Sequence, residues 1–338
     1  MDQQNQDGYA IAVVGATGLV GRTMLRVLEE RGLPVSSIRL LASKNSAGSK
    51  VRFGGKNLVV EELNRKSFKG IDIALFSAGA SVSRQYAPIA AEAGAVAIDN
   101  SSAWRMEKGV PLVVPEVNPD AALKHRGIIA NPNCSTIQLV VALKPLHDAF
   151  TLRRIVVSTY QAVSGAGQAG IDQLTAELKG RIPEKPKFPH TAAFNTIFHG
   201  FGEGEDYSEE EIKMINETRK IMGLPKLAAT MTCVRIPTMA AHAESVNAEF
   251  ENPVTPARAR KLLERAPGVI VWDDPSSNFY PTVLDAGDHD EVYVGRIRKD
   301  ASRPNTLNMW VVADNVRKGA ATNAVQIAEL LIARNAMR

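Results

Sequence analysis

The chain has 338 residues, 45% of them hydrophobic, enough to bury a sizeable core and to favour two domains over one. Forty basic residues against thirty-six acidic ones leave a charge of +4, scattered without long like-charge blocks, so nucleic acid is not expected as a partner. No run approaches the roughly eighteen apolar residues of a membrane helix, and the opening MDQQNQDGYA lacks the basic and apolar regions of a signal peptide, so no membrane partner and a cytoplasmic location are expected. Along the first half, short β-rich runs at 11–14, 38–42, 71–76, 96–98 and 128–130 alternate with helical runs at 19–31 and 82–93. That alternation predicts βαβ units and a parallel sheet. A helix over 136–148, packed on one face, follows. From there the pattern changes to longer alternating strands at 153–161, 227–235, 243–250, 291–298 and 306–313, which predict a second, α+β domain with a largely antiparallel sheet. The stretch 181–205 reads as a long surface excursion. The amphipathic run 320–334 is expected to return to the first domain, giving domains of 1–131 with a closing helix at 316–338, and 132–315.

Directly after the first strand stands Gly15-Ala16-Thr17-Gly18-Leu19-Val20-Gly21, followed by a helical run. Glycines there let the backbone approach a pyrophosphate, whose charge sits at the helix N-terminus. A tight strand-to-helix connection is the plainer reading, but the position behind an N-terminal strand favours a Rossmann-like dinucleotide site. The second strand ends Leu41-Ala42-Ser43-Lys44-Asn45-Ser46, without the acidic residue that grips the ribose 2′-hydroxyl of NAD. Ser43, Lys44 and Ser46 suit a 2′-phosphate instead, so NADP is the expected cofactor.

Cys134 follows an apolar strand and a proline turn at the start of a helix, where the helix dipole favours the thiolate and the amides at the helix start are available to an oxyanion. Cys233, inside an apolar strand, reads as an inert core residue. Both read as unpaired thiols. The segment NPNCST (131–136) resembles the nucleophile motif of the aspartate-semialdehyde dehydrogenase family. Further segments match in order along nearly the whole chain: SSAWRM (101–106), VVPEVN (113–118), YQAVSGAG (160–167), ETRKI (217–221) and DNVRKGAA (314–321).

The resemblance implies an NADP-dependent oxidoreductase of lysine, methionine and threonine biosynthesis. In this reading Cys134 is the nucleophile, His242 the acid-base partner with a near-neutral pKa suited to both directions, and Gln161 orients the substrate. It further implies that Arg235 pairs with the substrate carboxylate, that Glu217 faces its amino group, and that Arg105, Asn133 and Lys220 hold phosphate. Glu217 and Lys220 are i,i+3 on a predicted helix, where a surface ion pair is the plainer reading. For the cofactor it implies Gly15, Thr17, Gly18, Leu19 and Val20 at the phosphates, with Ser164, Gly165 and Asn315 toward the nicotinamide. No metal is expected, and a homodimer built through the second domain is. Two departures stand out: Asn45 where the family often has arginine, and no glycine just before His242. The rivals are an N-acetyl-γ-glutamyl-phosphate reductase, sharing the thioester chemistry, and a non-catalytic nucleotide-binding relative.

Overall fold

The computed structural model describes residues 8–337. Residues 1–7, where most of the expectation about the opening segment falls, and Arg338, the last residue of the expected closing helix, lie outside this range. The chain divides into two compact units: residues up to Pro132 together with those from Ala320 onward, and Asn133–Gly319.

The first unit runs β1 (Tyr9–Val14), α1 (Leu19–Glu30), β2 (Val35–Ala42), β3 (Lys50–Phe53), β4 (Lys56–Val59), β5 (Glu61–Glu62), β6 (Ile73–Phe76), α2 (Ala80–Glu92), β7 (Val96–Asp99), α3 (Pro119–Ala122) and β8 (Ile128–Ala130). Six strands form one parallel sheet in the order β5-β2-β1-β6-β7-β8, while β3 and β4 make a separate hairpin. Alternate residues of the central strands feed two cores. Ile11, Val13, Ile73 and Leu75 pack with α1 and the chain's last helix, Thr322–Ala333, and Ala12, Val14, Ala74 and Phe76 pack with α2. Burial on both faces is why these strands read as continuous apolar runs.

The last helix starts later than its pattern predicts. A π-helical turn, Arg317–Ala321, precedes it, because the Gly319 amide reaches back five residues to the Asp314 carbonyl at 2.9 Å. Within the unit, Asn323 on this helix donates to Asn131 Oδ1 at 2.6 Å and to the Val113 carbonyl at 3.0 Å. Glu329 accepts both Nε and Nη2 of Arg31, at 2.7 and 2.8 Å.

The second unit contains α4 (Cys134–Phe150), β9 (Leu152–Gln161), α5 (Gln168–Leu178), β10 (Ile197–Phe198), α6 (Glu209–Met222), β11 (Ala228–Arg235), β12 (His242–Phe250), α7 (Pro256–Leu263), β13 (Val269–Val271), α8 (Val283–Ala286), β14 (Val292–Lys299) and β15 (Thr306–Ala313). Its sheet has the order β10-β11-β9-β12-β15-β14-β13 and is mixed, with antiparallel pairs in the majority; β9–β11 and β13–β14 are parallel. Helix α4 lies on this sheet and is buried nearly all round, not on one face, because α6 and α7 cover its other side. No helix among the described residues is long and apolar enough to cross a membrane. Among the described residues no three His, Cys, Asp or Glu side chains gather as a metal-ligand set.

Candidate active site

Three of the sequence-predicted residues fall in one row across the second sheet. Arg235 of β11 pairs with Gln161 of β9, which pairs with His242 of β12. The row is locked from one backbone position. Ala162 N–H donates to His242 Nδ1 at 3.0 Å, and the Ala162 carbonyl accepts from Arg235 Nη1 at 2.6 Å. Because Nδ1 accepts, the neutral imidazole carries its proton on Nε2, which is buried and meets no hydrogen-bond partner. Burial, and after it the Arg235 charge, push His242 down to about 3, so the near-neutral value expected from sequence does not hold in the free protein. The residue before it, Ala241, takes a left-handed φ of 63°, keeping without glycine the turn that aims the ring, at a cost of roughly 1 kcal/mol.

Cys134 opens α4, and Asn133 caps that helix. Its Oδ1 accepts the amides of Ser135 at 3.0 Å and Thr136 at 3.3 Å. Two of the amides expected to be available to an oxyanion are therefore already committed. Asn133 is held in turn at two points: its amide donates to Glu217 Oε2 at 2.6 Å and its Nδ2 to Glu210 Oε1 at 2.8 Å. The thiol is partly exposed and electrostatically coupled to Arg235, and Gly319 packs on it, so that a Cβ there would lie 2.8 Å from Cys134 Cβ. Neither cysteine is in a disulfide, and burial drives the Cys233 thiol far up, in keeping with an inert core residue.

Two carboxylates of α6 meet at Asn133. Glu217 is 1% exposed and engaged with the Asn133 backbone, and Lys220 lies on the same helix at intermediate exposure. The carboxylate that joins the row is Glu210, whose Oε1 also accepts from Gln161 Nε2 at 3.3 Å. Burial works to raise Glu210, but His199, the Asn133 amide and Lys213 outweigh it and hold the group below the usual carboxylate range. Sequence reasoning missed Glu210 because Glu209-Glu210-Glu211 reads as the solvated first turn of a helix. Only the capping box of Ser208 with Glu211 hints at how that turn is seated. Arg235 stacks on Phe188 at 5.3 Å and opens onto a cavity of about 710 Å³ that Lys187, His190 and His199 also line. Asn315 and Ser164 bond to each other, and Gly165 presents its bare side to Arg235 and His242, where a Cβ would lie 2.9 and 3.2 Å from their nitrogens.

In the first unit, Gly15, Thr17, Gly18, Ser43 and Ser46 line a second cavity of about 400 Å³, whereas Leu19, Val20 and Lys44 do not. Gly15 has φ +87°, and a Cβ on it would sit 2.5 Å from the Ser77 carbonyl. The bare backbone there fits a phosphate cradle. No acidic residue lines the cavity. Arg105, also in this unit, is buried, with Nε donating to the Asn131 carbonyl at 3.0 Å and Nη2 to the Asn100 carbonyl at 2.9 Å.

Comparison with known proteins adds the family. The semialdehyde dehydrogenase dimerisation domain matches residues 143–318, and the semialdehyde dehydrogenase NAD binding domain matches 10–125. The aspartate-semialdehyde dehydrogenase of Aquifex aeolicus (strain VF5) is 56% identical over 96% of this chain and 98% of its own. Aspartate semialdehyde dehydrogenase II of Vibrio cholerae, solved as a complex with ASA, is 48% identical with a TM-score of 0.91, over 96% of this chain and 98% of that one. The aspartate semialdehyde dehydrogenase of Candida albicans, solved with NADP, is 26% identical with a TM-score of 0.76, over 97% of this chain and 99% of that one.

Proposed function

The chain belongs to the aspartate-semialdehyde dehydrogenase family of aspartate-pathway oxidoreductases, and from that premise we propose that it reduces L-4-aspartyl phosphate to L-aspartate 4-semialdehyde through a thioester on Cys134. The single observation that carries this reading is the cross-strand row Arg235–Gln161–His242, seated with Glu210 and the Cys134 helix cap in one hydrogen-bonded unit.

The Cys134 thiolate attacks the acyl carbon; the C–S bond forms, the C–O bond to phosphate breaks, and phosphate leaves with its electron pair. NADP is the cofactor; Gly15, Thr17 and Gly18 would hold its phosphates and Ser43 and Ser46, with Lys44 beside them, the 2′-phosphate, while Ser164, Gly165 and Asn315 would serve the nicotinamide end. When bound, it supplies a hydride to the thioester carbon. His242 Nε2–H donates to the oxyanion of each tetrahedral intermediate, the role that the committed Ser135 and Thr136 amides leave open. A substrate carboxylate against Arg235 offsets the charge that helps depress His242, so the imidazole gains proton affinity when substrate is bound. The Nε2–H hydrogen bond then holds the hemithioacetal alkoxide, which collapses to the aldehyde as the C–S bond breaks and the Cys134 thiolate leaves with its electron pair.

Glu210 joins Glu217 as a candidate to face the substrate ammonium, and Gln161 orients the acyl group. Lys213, 3.9 Å from Glu210, joins Arg105, Asn133 and Lys220 as a candidate for the phosphate. The first unit is the NADP-binding domain and the second the catalytic and dimerisation domain of a cytoplasmic homodimer.

The test is phosphate-dependent reduction of NADP, comparing L-aspartate semialdehyde with N-acetylglutamate semialdehyde. Turnover of the free amine only is expected, because a buried ionised Glu210 has no use for an acetylated one. Preference for the acetylated compound would move the chain to the rival reductase, and no turnover of either would leave a nucleotide-binding relative. Cys134→Ala should abolish turnover and keep NADP binding; wild-type turnover in that variant would sink the thioester.

A further inference from the structure

Glu244 has no part in the chemistry above, yet its surroundings call for one. It follows His242 by two residues on β12, on the same face, and lies opposite Thr159 of β9, one step deeper than the catalytic row. It is 0% exposed, and neither carboxylate oxygen meets a hydrogen-bond donor. An ionised carboxylate left so is strongly disfavoured against its neutral form. Gln138 supplies the complementary defect. It sits one helical turn after Cys134 on α4, is 1% exposed, and donates through Nε2 to the His242 carbonyl at 3.3 Å, while its Oε1 has no donor. Turning the amide over would set Oε1 against the His242 carbonyl, so the deficit at Oε1 is real. One proton on Glu244 satisfies both groups.

We propose that Glu244 is a neutral carboxylic acid that donates to Gln138 Oε1, and that this pair positions His242 against the helix that carries Cys134. Burial raises the Glu244 carboxyl well above the ordinary carboxylate range, and Gln138 is the polar side chain that bears on it. Glu244 is thus a positioning residue: it acts through Gln138 on the His242 backbone, and Gln138 ties the start of α4 to β12. The role of His242 rests on the function proposed above, whereas the protonation of Glu244 does not.

Two measurements on the full-length protein test it. Difference infrared spectroscopy of wild type against Glu244→Gln, near neutral pH in deuterated buffer, should show a protonated carboxylic C=O stretch that the variant lacks. Glu244→Gln, whose amide still donates to Gln138, should keep the wild-type kcat and KM, while Gln138→Leu should lower kcat roughly tenfold to a hundredfold with KM little changed. Absence of the carbonyl band would show an ionised Glu244 and overturn the proposal, and so would an undiminished kcat in Gln138→Leu. If Gln138→Leu fails to fold, the infrared band and the Glu244→Gln kinetics still decide. A wild type inactive on L-aspartate semialdehyde that nevertheless shows the band would sink the proposed reaction and leave the Glu244 assignment standing.

Discussion

The backbone amide of Asn133 donates to the buried carboxylate of Glu217 at 2.6 Å, so the residue that caps the Cys134 helix is anchored from α6. Glu210, two turns earlier on α6, bonds the Asn133 side chain instead and shares its oxygen with Gln161. The two glutamates should therefore fail differently when changed. Glu217→Ala should destabilise the fold by about 1–3 kcal/mol, the usual cost of an orphaned buried donor, and lower kcat by loosening the cap. Glu210→Gln keeps the shape and the hydrogen-bonding capacity but loses the charge, so KM for L-aspartate semialdehyde should rise at least tenfold with little change in melting temperature. Chemical denaturation alongside steady-state kinetics separates them; a KM effect in Glu217→Gln larger than in Glu210→Gln would assign the ammonium to Glu217.

His242 makes a prediction about acid. In the unfolded chain its imidazole titrates near the ordinary 6.5, and in the fold burial and Arg235 hold it down to about 3. Above pH 6.5 both states are neutral and the group's contribution is fully present. As pH falls from 6.5 toward 3 the unfolded chain gains a proton that the folded one refuses, and stability drops. His199, pushed down mainly by burial to about 4, acts in the same direction. Denaturant midpoints measured from pH 7.5 to 4 should fall less steeply for His242→Gln than for wild type. Parallel curves would mean that His242 is protonated in the fold.

The second strand gives the cofactor prediction. Ser43 lines the first unit's cavity where NAD-specific sheets end in an acidic residue, and no carboxylate lies on that wall. Ser43→Asp should weaken NADP roughly tenfold or more by placing a carboxylate against the 2′-phosphate, with NAD affinity held or improved. Fluorescence titration of both cofactors reads the ratio. If Lys44→Ala alters NADP binding more than Ser43→Asp, the exposed lysine is the main 2′-phosphate contact.

How far the sequence reaches depends on what each element buries. Strands β1, β6 and β7 were legible because both faces are largely covered and, Asp99 at the end of β7 apart, their residues are apolar or aromatic. The β3–β4 hairpin was not, since Lys50, Lys56 and Asn57 face water and leave no run to see. The parallel pairing of β9 with β11 was hidden by the long intervening stretch, which holds α5, β10 and α6 and shows no βαβ rhythm. Cys134, Gln161, Arg235 and His242 were found through motif resemblance, and the sheet register sets three of them in one row. Glu210 and Glu244 escaped because burial, not residue type, sets them apart. A glutamate in a helix's first turn or on an alternating strand reads as solvated until the neighbouring elements are known.

Gly319 offers the sharpest probe of thiol placement. Its Cα lies so close to α4 that an added Cβ would stand 2.8 Å from Cys134 Cβ and 3.2 Å from Cys134 Cα, against backbone and the stem of the side chain with no flexible end to yield. The π-helical bond from Gly319 N to the Asp314 carbonyl, together with the Asp314 side chain holding the Val316 and Arg317 amides, leaves the turn little room to retreat. Gly319→Ala must therefore push the start of α4, and the displacement falls on the nucleophile. A shift of a few tenths of an ångström at the reacting sulfur should lower kcat roughly tenfold or more, with NADP affinity in the first unit's cavity unaltered. Alkylation of Cys134 by iodoacetamide gives a readout independent of turnover, and its rate should change in the same variant. Wild-type kcat together with wild-type alkylation would mean that the turn carrying Gly319 moves away from Cys134 freely, and that the thiol is positioned by the Asn133 cap alone.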